Sequence, residues 1–163
     1  MDYKVIFDVI EHGYTSWRMA LPFAGISVAA TCISWVLSRP SMIEDTREDR
    51  IRRAGFRVVA AATGVIAIGL IGYTYRAHLV LCDAFRSGKG HVIEGIVTAF
   101  IPEGPDGHPL EQFRVAGEDF WYSSSNGTSG FHWTVGKGGP MRNGLKVRIT
   151  TVGEEIARLE IAP

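Results

Sequence analysis

Two long apolar runs dominate the hydropathy pattern of the first half of the chain. The first extends from Met19 to Ser38, and the second from Val58 to Tyr75 with an extension to Leu81. A helix needs about 20 apolar residues to cross the roughly 30 Å hydrocarbon core of a bilayer. Core helices of soluble proteins normally carry a polar stripe, which both runs lack. The pattern therefore predicts transmembrane helices at residues 19–38 and 58–81.

The segment before the first run, residues 1–18, has a weaker pattern that allows two structures. Its apolar residues recur at helical spacing, which predicts an interfacial amphipathic segment ending near Gly13. A β-strand over "YKVIFDVI" is the alternative. Asp2, Asp8 and Glu11 make a poor positively charged leader, so an uncleaved anchor is favoured over a signal peptide.

The connector between the two runs, residues 39–57, is the most charged part of the chain. Its arginine cluster consists of Arg39, Arg47, Arg50, Arg52, Arg53 and Arg57. Short basic loops stay in the cytoplasm, so both termini should lie in the periplasm if this is a protein of a bacterial inner membrane. Ser41 and Glu44 form a capping-box pattern that predicts a helix beginning near Met42. Contact of the cluster with anionic lipid is the second interpretation of its charge.

Small residues recur four positions apart on both runs, as at Ala60 and Gly64. This spacing allows close packing of helices, either within one chain or between copies, so a homo-oligomer stays open.

The period of the pattern changes from 3.6 to 2 in residues 88–163. Strands are predicted at His91–Ile101, in "LEQFRV" and "EDFWYSS" around an Ala116-Gly117 turn, and in "LKVRITTV" and "EIARLEI" around Gly153. Five short strands and one long loop indicate a small closed or nearly closed barrel of the OB or SH3-like kind. The predicted fold class is thus an α+β membrane protein: a two-helix transmembrane hairpin followed by a five-stranded β-barrel.

Composition and charge exclude several classes of function. The chain has 17 basic and 17 acidic residues, and its second half lacks the basic field that nucleic-acid binding needs. The two cysteines lie in different environments and predict neither a disulfide framework nor a thiolate metal site. The five histidines occur at no ligand spacing, so no metal and no cofactor is expected.

Candidate catalytic motifs are incomplete. Ser123, Ser124 and Ser125 near His132 could supply a nucleophile and a base, but the Gly-x-Ser-x-Gly elbow is absent. "GKGGP" lacks the ending and the strand-to-helix context of a phosphate-binding loop. We therefore expect a protein that is not an enzyme.

Aromatic residues around the long loop form the one candidate binding surface. Alternation in a strand places Phe120 and Tyr122 on one face and Trp121 on the other, so not all of these rings can be core. The candidate contact residues for a partner or ligand are Trp121, Phe131, His132, Trp133, Lys137 and Arg142. The alternatives are a hydrophobic plug over the core, or a ring that rests on the bilayer.

Several segments together resemble a family of uncharacterised bacterial inner-membrane proteins. These are "FDVIEHGYTSWR", "EGIVTAFIPEG", "GHPLEQFRVAGEDFWYS", "GGPMRNGLKVRI" and "IARLEI". The resemblance covers nearly the whole chain and implies two transmembrane helices with a C-terminal small β-barrel. It brings no assigned activity, so it carries over no functional residue. The architecture is also similar to that of NfeD-type membrane proteins, in which a membrane anchor displays an OB barrel that engages partner proteins. This similarity rests on the architecture and a generic strand pattern.

The expected function is a membrane-anchored interaction or scaffolding protein whose partners are the lipid bilayer and another protein. The alternative is a membrane sensor or effector whose barrel binds a small, nucleotide-like ligand beneath the loop from Phe131 to Arg142 and signals through the helices.

Overall fold

The computed structural model of the protein describes residues 2–38, 46–104, 110–125 and 127–163. The chain forms two compact units: a helical unit from Ser16 to Tyr75, and a sheet unit made of the chain before Ser16 together with the chain from Arg76 onward. The helices are α1 (Val9–His12), α2 (Leu21–Leu37) and α3 (Arg47–Arg86), with 3₁₀ turns at Ser16–Ala20 and Val135–Lys137. The strands are β1 (Lys4–Asp8), β2 (His91–Ile101), β3 (Glu111–Val115), β4 (Glu118–Tyr122), β5 (Lys146–Val152) and β6 (Glu155–Ile161).

Two helical segments are long and apolar enough to cross a membrane. Ser16–Leu37 and Arg47–Arg86 contain windows with a mean hydropathy of 1.8 and 2.0. Only 17% and 6% of the residues in these windows are buried within the protein, whereas the core helix of a soluble protein would be mostly buried. The two predicted apolar helices are therefore present.

The two long helices approach each other at small residues. The Ser27 hydroxyl of α2 donates a hydrogen bond of 2.8 Å to the Ala60 carbonyl of α3. A Cβ atom added to Gly64 would lie 3.2 Å from Ser27 Oγ. Arg57 donates to the hydroxyls of Ser34 and Ser38 at 3.3 and 3.4 Å. The predicted close approach at Ala60 and Gly64 is confirmed within one chain.

A capping box begins α3. Thr46 Oγ1 lies 2.6 Å from Asp49 Oδ2, and the Asp49 amide donates back to Thr46 Oγ1 at 3.3 Å. The predicted box of Ser41 and Glu44, and the predicted start near Met42, lie outside the described residues.

The sheet unit differs from the predicted barrel in two respects: it has six strands instead of five, and its sheet is not closed. All neighbouring strands are antiparallel, and their order is β1-β6-β5-β2-β3-β4 in a sheet of six strands that is not closed. Five strands lie where the alternating pattern placed them, and the sixth is β1, whose Lys4 pairs with Ile161 and whose Asp8 pairs with Arg158. For residues 4–8, the strand alternative is the observed structure, and the predicted helix is confined to Val9–His12, which ends at Gly13 as expected. Backbone pairing with β6 outweighed the helical spacing.

The core lies on one face of this sheet. Strands β3 and β5 alternate strictly between buried and less buried residues, as a half-buried strand must. The largest fully buried apolar side chains are those of Phe113, Phe131, Met141, Ile149 and Leu159. The predicted hairpin turn is confirmed, with Ala116 and Gly117 at φ 51° and 91°.

Replacing Gly64 by leucine should loosen the helix pair by about 1–3 kcal/mol, because the larger side chain meets Ser27. Thermal unfolding of the detergent-solubilised protein measures this loss. Gly69→Leu is the matched control, since a Cβ atom at Gly69 has nothing within 4 Å. Equal stability of the two variants would contradict the observed packing.

Candidate functional site

The predicted aromatic patch is divided between the core and the surface. Phe131 is only 2% exposed, and its ring lies 5.6 Å from that of Phe7 and 5.1 Å from that of Tyr122. The prediction that Phe131 contacts a partner is therefore wrong. Its side chain fills the core under the loop, as in the alternative of a hydrophobic plug. Trp121 and Trp133 are exposed, at 53% and 48%.

The remaining patch residues lie on separate parts of the loop. The Trp133 ring packs edge-on against His12 at 5.8 Å. Lys137 is exposed in the 3₁₀ turn, and its Nζ donates to the Ser124 carbonyl at 3.4 Å. Arg142 is exposed just before the turn that leads into β5. The structure therefore does not assemble the six predicted residues into one surface.

A buried carboxylate fastens the long loop to the sheet. Glu111 of β3 is 0% exposed and accepts a short hydrogen bond from the Tyr122 hydroxyl. Its other oxygen accepts from the Val135 amide at 2.9 Å. Burial, and then the bond to Glu111, raise the pKa of Tyr122 far above its usual range, so the phenol stays a donor. Sequence reasoning missed Glu111, although an inward position in an alternating strand was the available signal.

The serine run has a structural role that separates it from His132. Glu103 accepts hydrogen bonds from Ser123 Oγ at 3.0 Å and from the Ser124 amide at 3.1 Å. The Ser124 amide is the largest cause that holds the pKa of Glu103 below its usual range. His132 Nε2 instead faces Thr128, 2.8 Å from its Oγ1. The nucleophile-and-base pair that a hydrolase would need is not formed between these residues.

His132 is held in a partly closed environment. Its Nδ1 is buried and has no hydrogen-bond partner among the described residues. Burial lowers the pKa of His132, and this outweighs the opposing effects of the Glu155 carboxylate and the Thr128 carbonyl. Protonation would place an unpaired N–H in the interior.

Trp121 belongs to an open groove on the outer face of β2, β3 and β4. The strand register aligns Ile101, Gln112 and Trp121 in one row across the three strands. The groove has a volume of about 510 Å³, and Leu110 and Phe120 also line it. Beside it, Arg114 and Asp119 form an exposed ion pair at 2.7 Å, and the hydrogen bond from Arg114 lowers the pKa of Asp119. Neither this groove nor the smaller cleft on the other side of β4 is lined by residues of the Phe131–Arg142 segment.

The arginines of the cluster that the structure describes lie at the start of α3. Arg47, Arg50, Arg52 and Arg57 are exposed, while Arg53 is half-buried and donates to the Asp49 carbonyl at 3.2 Å. Arg39 lies outside the described residues. Between residues 47 and 57, five arginines stand against two carboxylates, a net charge of +3.

No group of three or more metal-ligating side chains occurs in the part of the chain that the structure describes. Comparison with known protein families, with curated proteins and with solved structures finds no match to this chain.

Replacing Tyr122 by phenylalanine should lower the free energy of unfolding by about 1–3 kcal/mol, because Glu111 loses a donor in a dry interior. Tyr3→Phe is the matched control. It removes a 2.5 Å bond to the exposed Glu94, where water can replace the hydroxyl. Denaturation of the two variants in detergent compares the losses, and equal losses would show that Glu111 is not the anchor of the loop.

The stability of the domain should decrease as the pH falls below about 6.5, the ordinary pKa of histidine. The unfolded state takes up a proton there that His132 in the folded state resists, so the loss grows until the pH reaches the depressed folded pKa. The melting temperature should therefore change less with pH across this range for His132→Gln than for the unchanged protein. A His132→Gln variant whose melting temperature varies with pH as steeply as that of the unchanged protein would contradict this assignment.

Proposed function

We propose that the protein is a two-span anchor of a bacterial inner membrane that displays the sheet domain at the bilayer surface for interaction with another protein, without catalytic activity of its own. The observation that carries the proposal is the apolar surface of the helical unit. Val28, Val65 and Ile68 are 64–73% exposed. A soluble monomer rarely leaves such a large continuous apolar surface in water.

The lengths of the two segments support a crossing. Trp17 and Trp35 are exposed near the two ends of the first segment, about 27 Å apart along a helix. The second segment has no charged residue between Arg57 and Arg76, which is a similar length. Exposed Tyr73 lies near its end, where aromatic side chains favour the headgroup region.

Strand pairing supports an even number of crossings. β1 precedes the first apolar helix and β6 follows the second, yet they are hydrogen-bonded neighbours. Backbone pairing cannot extend across hydrocarbon, so both flanks of the hairpin lie on one side of the membrane. The five arginines at the start of α3 favour a cytoplasmic connector, and the sheet domain then lies in the periplasm.

The interaction role is supported by surface chemistry. The sheet domain presents the exposed Trp121 beside an open groove, while its polar clusters at Glu111 and Glu103 are occupied in holding the loop. Tryptophan is a favoured anchor residue at protein interfaces. The alternative, a sensor, placed its ligand beneath the loop from Phe131 to Arg142, and the Phe131 ring itself fills the core there.

Cysteine chemistry tests the arrangement in membranes. In a background with Cys32→Ala and Cys82→Ala, the pair Val5→Cys and Glu160→Cys should form a disulfide under mild oxidation, because these residues face each other in β1 and β6. The control pair Val5→Cys and Thr150→Cys should not. An impermeant thiol reagent should label Glu154→Cys from the periplasmic side and Ala54→Cys only after lysis. The reverse labelling would overturn the sidedness, and a polypeptide that stays in the aqueous fraction would overturn the anchor.

A further inference from the structure

Strand β4 leaves one side of its backbone open. It ends the hydrogen-bonded order of the sheet, and no strand lies beside its outer edge in the part of the chain that the structure describes. The two-residue turn pairs Val115 with Glu118, and Phe120 continues this pairing opposite Phe113. Hydrogen-bonded and free positions alternate along an antiparallel strand. The N–H and C=O groups of Asp119 and Trp121 therefore point away from β3.

A cleft of about 170 Å³ follows this free edge. Glu118, Phe120 and Trp121 line it from β4, and Thr151, Glu154 and Ile156 line it from the opposite hairpin of β5 and β6. Phe120 and Ile156 are 8% and 4% exposed and form an apolar base, whereas Trp121 is half-exposed at the rim. The edge thus offers unpaired backbone N–H and C=O groups next to side chains that a bound segment would contact. The addition of a strand to a sheet edge uses both kinds of contact.

The acidic side chains around the cleft indicate the charge of the segment that would bind there. Glu118, Asp119 and Glu154 are all exposed carboxylates. Arg114 pairs with Asp119, and the His91 imidazole lies 3.4 Å from Glu118. Around the cleft, three carboxylates therefore stand against one guanidinium and one imidazole. The Trp121 ring adds a surface on which a cationic side chain can rest. A second copy of this chain fits poorly, because edge-to-edge pairing would bring the same carboxylates together.

We propose that the free edge of β4 binds an extended, lysine- or arginine-containing segment of a partner protein, which adds to the sheet as a further strand with its basic side chains against Glu118, Asp119 and Glu154. The proposal rests on the interaction role proposed above and names the surface and the class of partner. Acidic residues also protect sheet edges from unwanted pairing, so the experiment has to separate recognition from protection.

The test uses the full chain in zwitterionic detergent and a fluorescent peptide of alternating lysine and valine, followed by anisotropy. The lysine peptide should bind, and an alternating glutamate and valine peptide should not. A lysine–valine peptide N-methylated along both edges keeps its charge but cannot donate backbone hydrogen bonds from either edge. Its affinity should be at least about tenfold weaker if backbone pairing holds the complex.

Two variants with a matched control locate the site. Trp121→Ala and Glu154→Lys should each weaken binding of the lysine peptide by about tenfold or more. Trp133→Ala removes a similarly exposed tryptophan whose ring packs against His12 and does not line the cleft, so it should leave binding unchanged. Because Glu154 lies in a turn, its variant stays informative if Trp121→Ala unfolds.

Three results would overturn the proposal. Equal binding of the methylated peptide would show charge attraction without strand addition. Absence of binding by the lysine peptide would show that the carboxylates only protect the edge. A dimer in sedimentation that Glu154→Lys strengthens or dissolves, without peptide binding, would assign the edge to a second copy. None of these results changes the outcome of the disulfide and labelling experiments, so the membrane anchor is tested separately.

Discussion

The pairing of β1 with β6 is the interaction on which the rest of the arrangement depends. Almost the whole chain lies between these two strands, including both apolar helices. Backbone hydrogen bonds between them join the two ends of the hairpin into one sheet, and this join is incompatible with flanks on opposite sides of a bilayer. The even number of crossings in the proposed anchor thus follows from a contact within the sheet domain.

Side chains reinforce that join on the outer face of the sheet. The Tyr3 hydroxyl bonds to Glu94 at 2.5 Å, and the Arg148 guanidinium lies 4.2 Å from the centre of the Tyr3 ring. Arg158 reaches Glu160 at 3.1 Å and Asp8 at 3.8 Å. Arg158 is partly exposed, whereas the carboxylates of Asp8 and Glu160 are largely buried, so these contacts fix the position of β1 against β6. Burial of Phe7 in the core adds an apolar contribution to the stability of this join.

The two edges of the sheet differ in their surroundings. β1 is fixed by the core ring of Phe7 and by the charged series, and it leads directly into α1, whose first turn Asp8 caps at 2.8 Å. β4 carries exposed carboxylates and an exposed tryptophan beside a cleft. Glu111 and Glu103 hold the loop that follows β4 through hydrogen bonds, and these bonds fix the position of β4 and its free edge.

The sequence by itself determined the elements whose pattern is local. Hydropathy alone defined both long helices, because a charge-free run of that length has few other stable environments. Period-two alternation located β2 to β6, and Ala116-Gly117 specified a hairpin through its positive φ angles. Tertiary structure decided what depends on distant partners. Residues 4–8 became a strand because β6 offered an unpaired edge, and the sheet stayed open because its two end strands, β1 and β4, do not pair with each other. Likewise, Phe131 entered the core because the path of the long loop is set by the buried groups that anchor it, above all Glu111. The exposure of Trp121, by contrast, follows from its alternation with Phe120 and Tyr122 in β4.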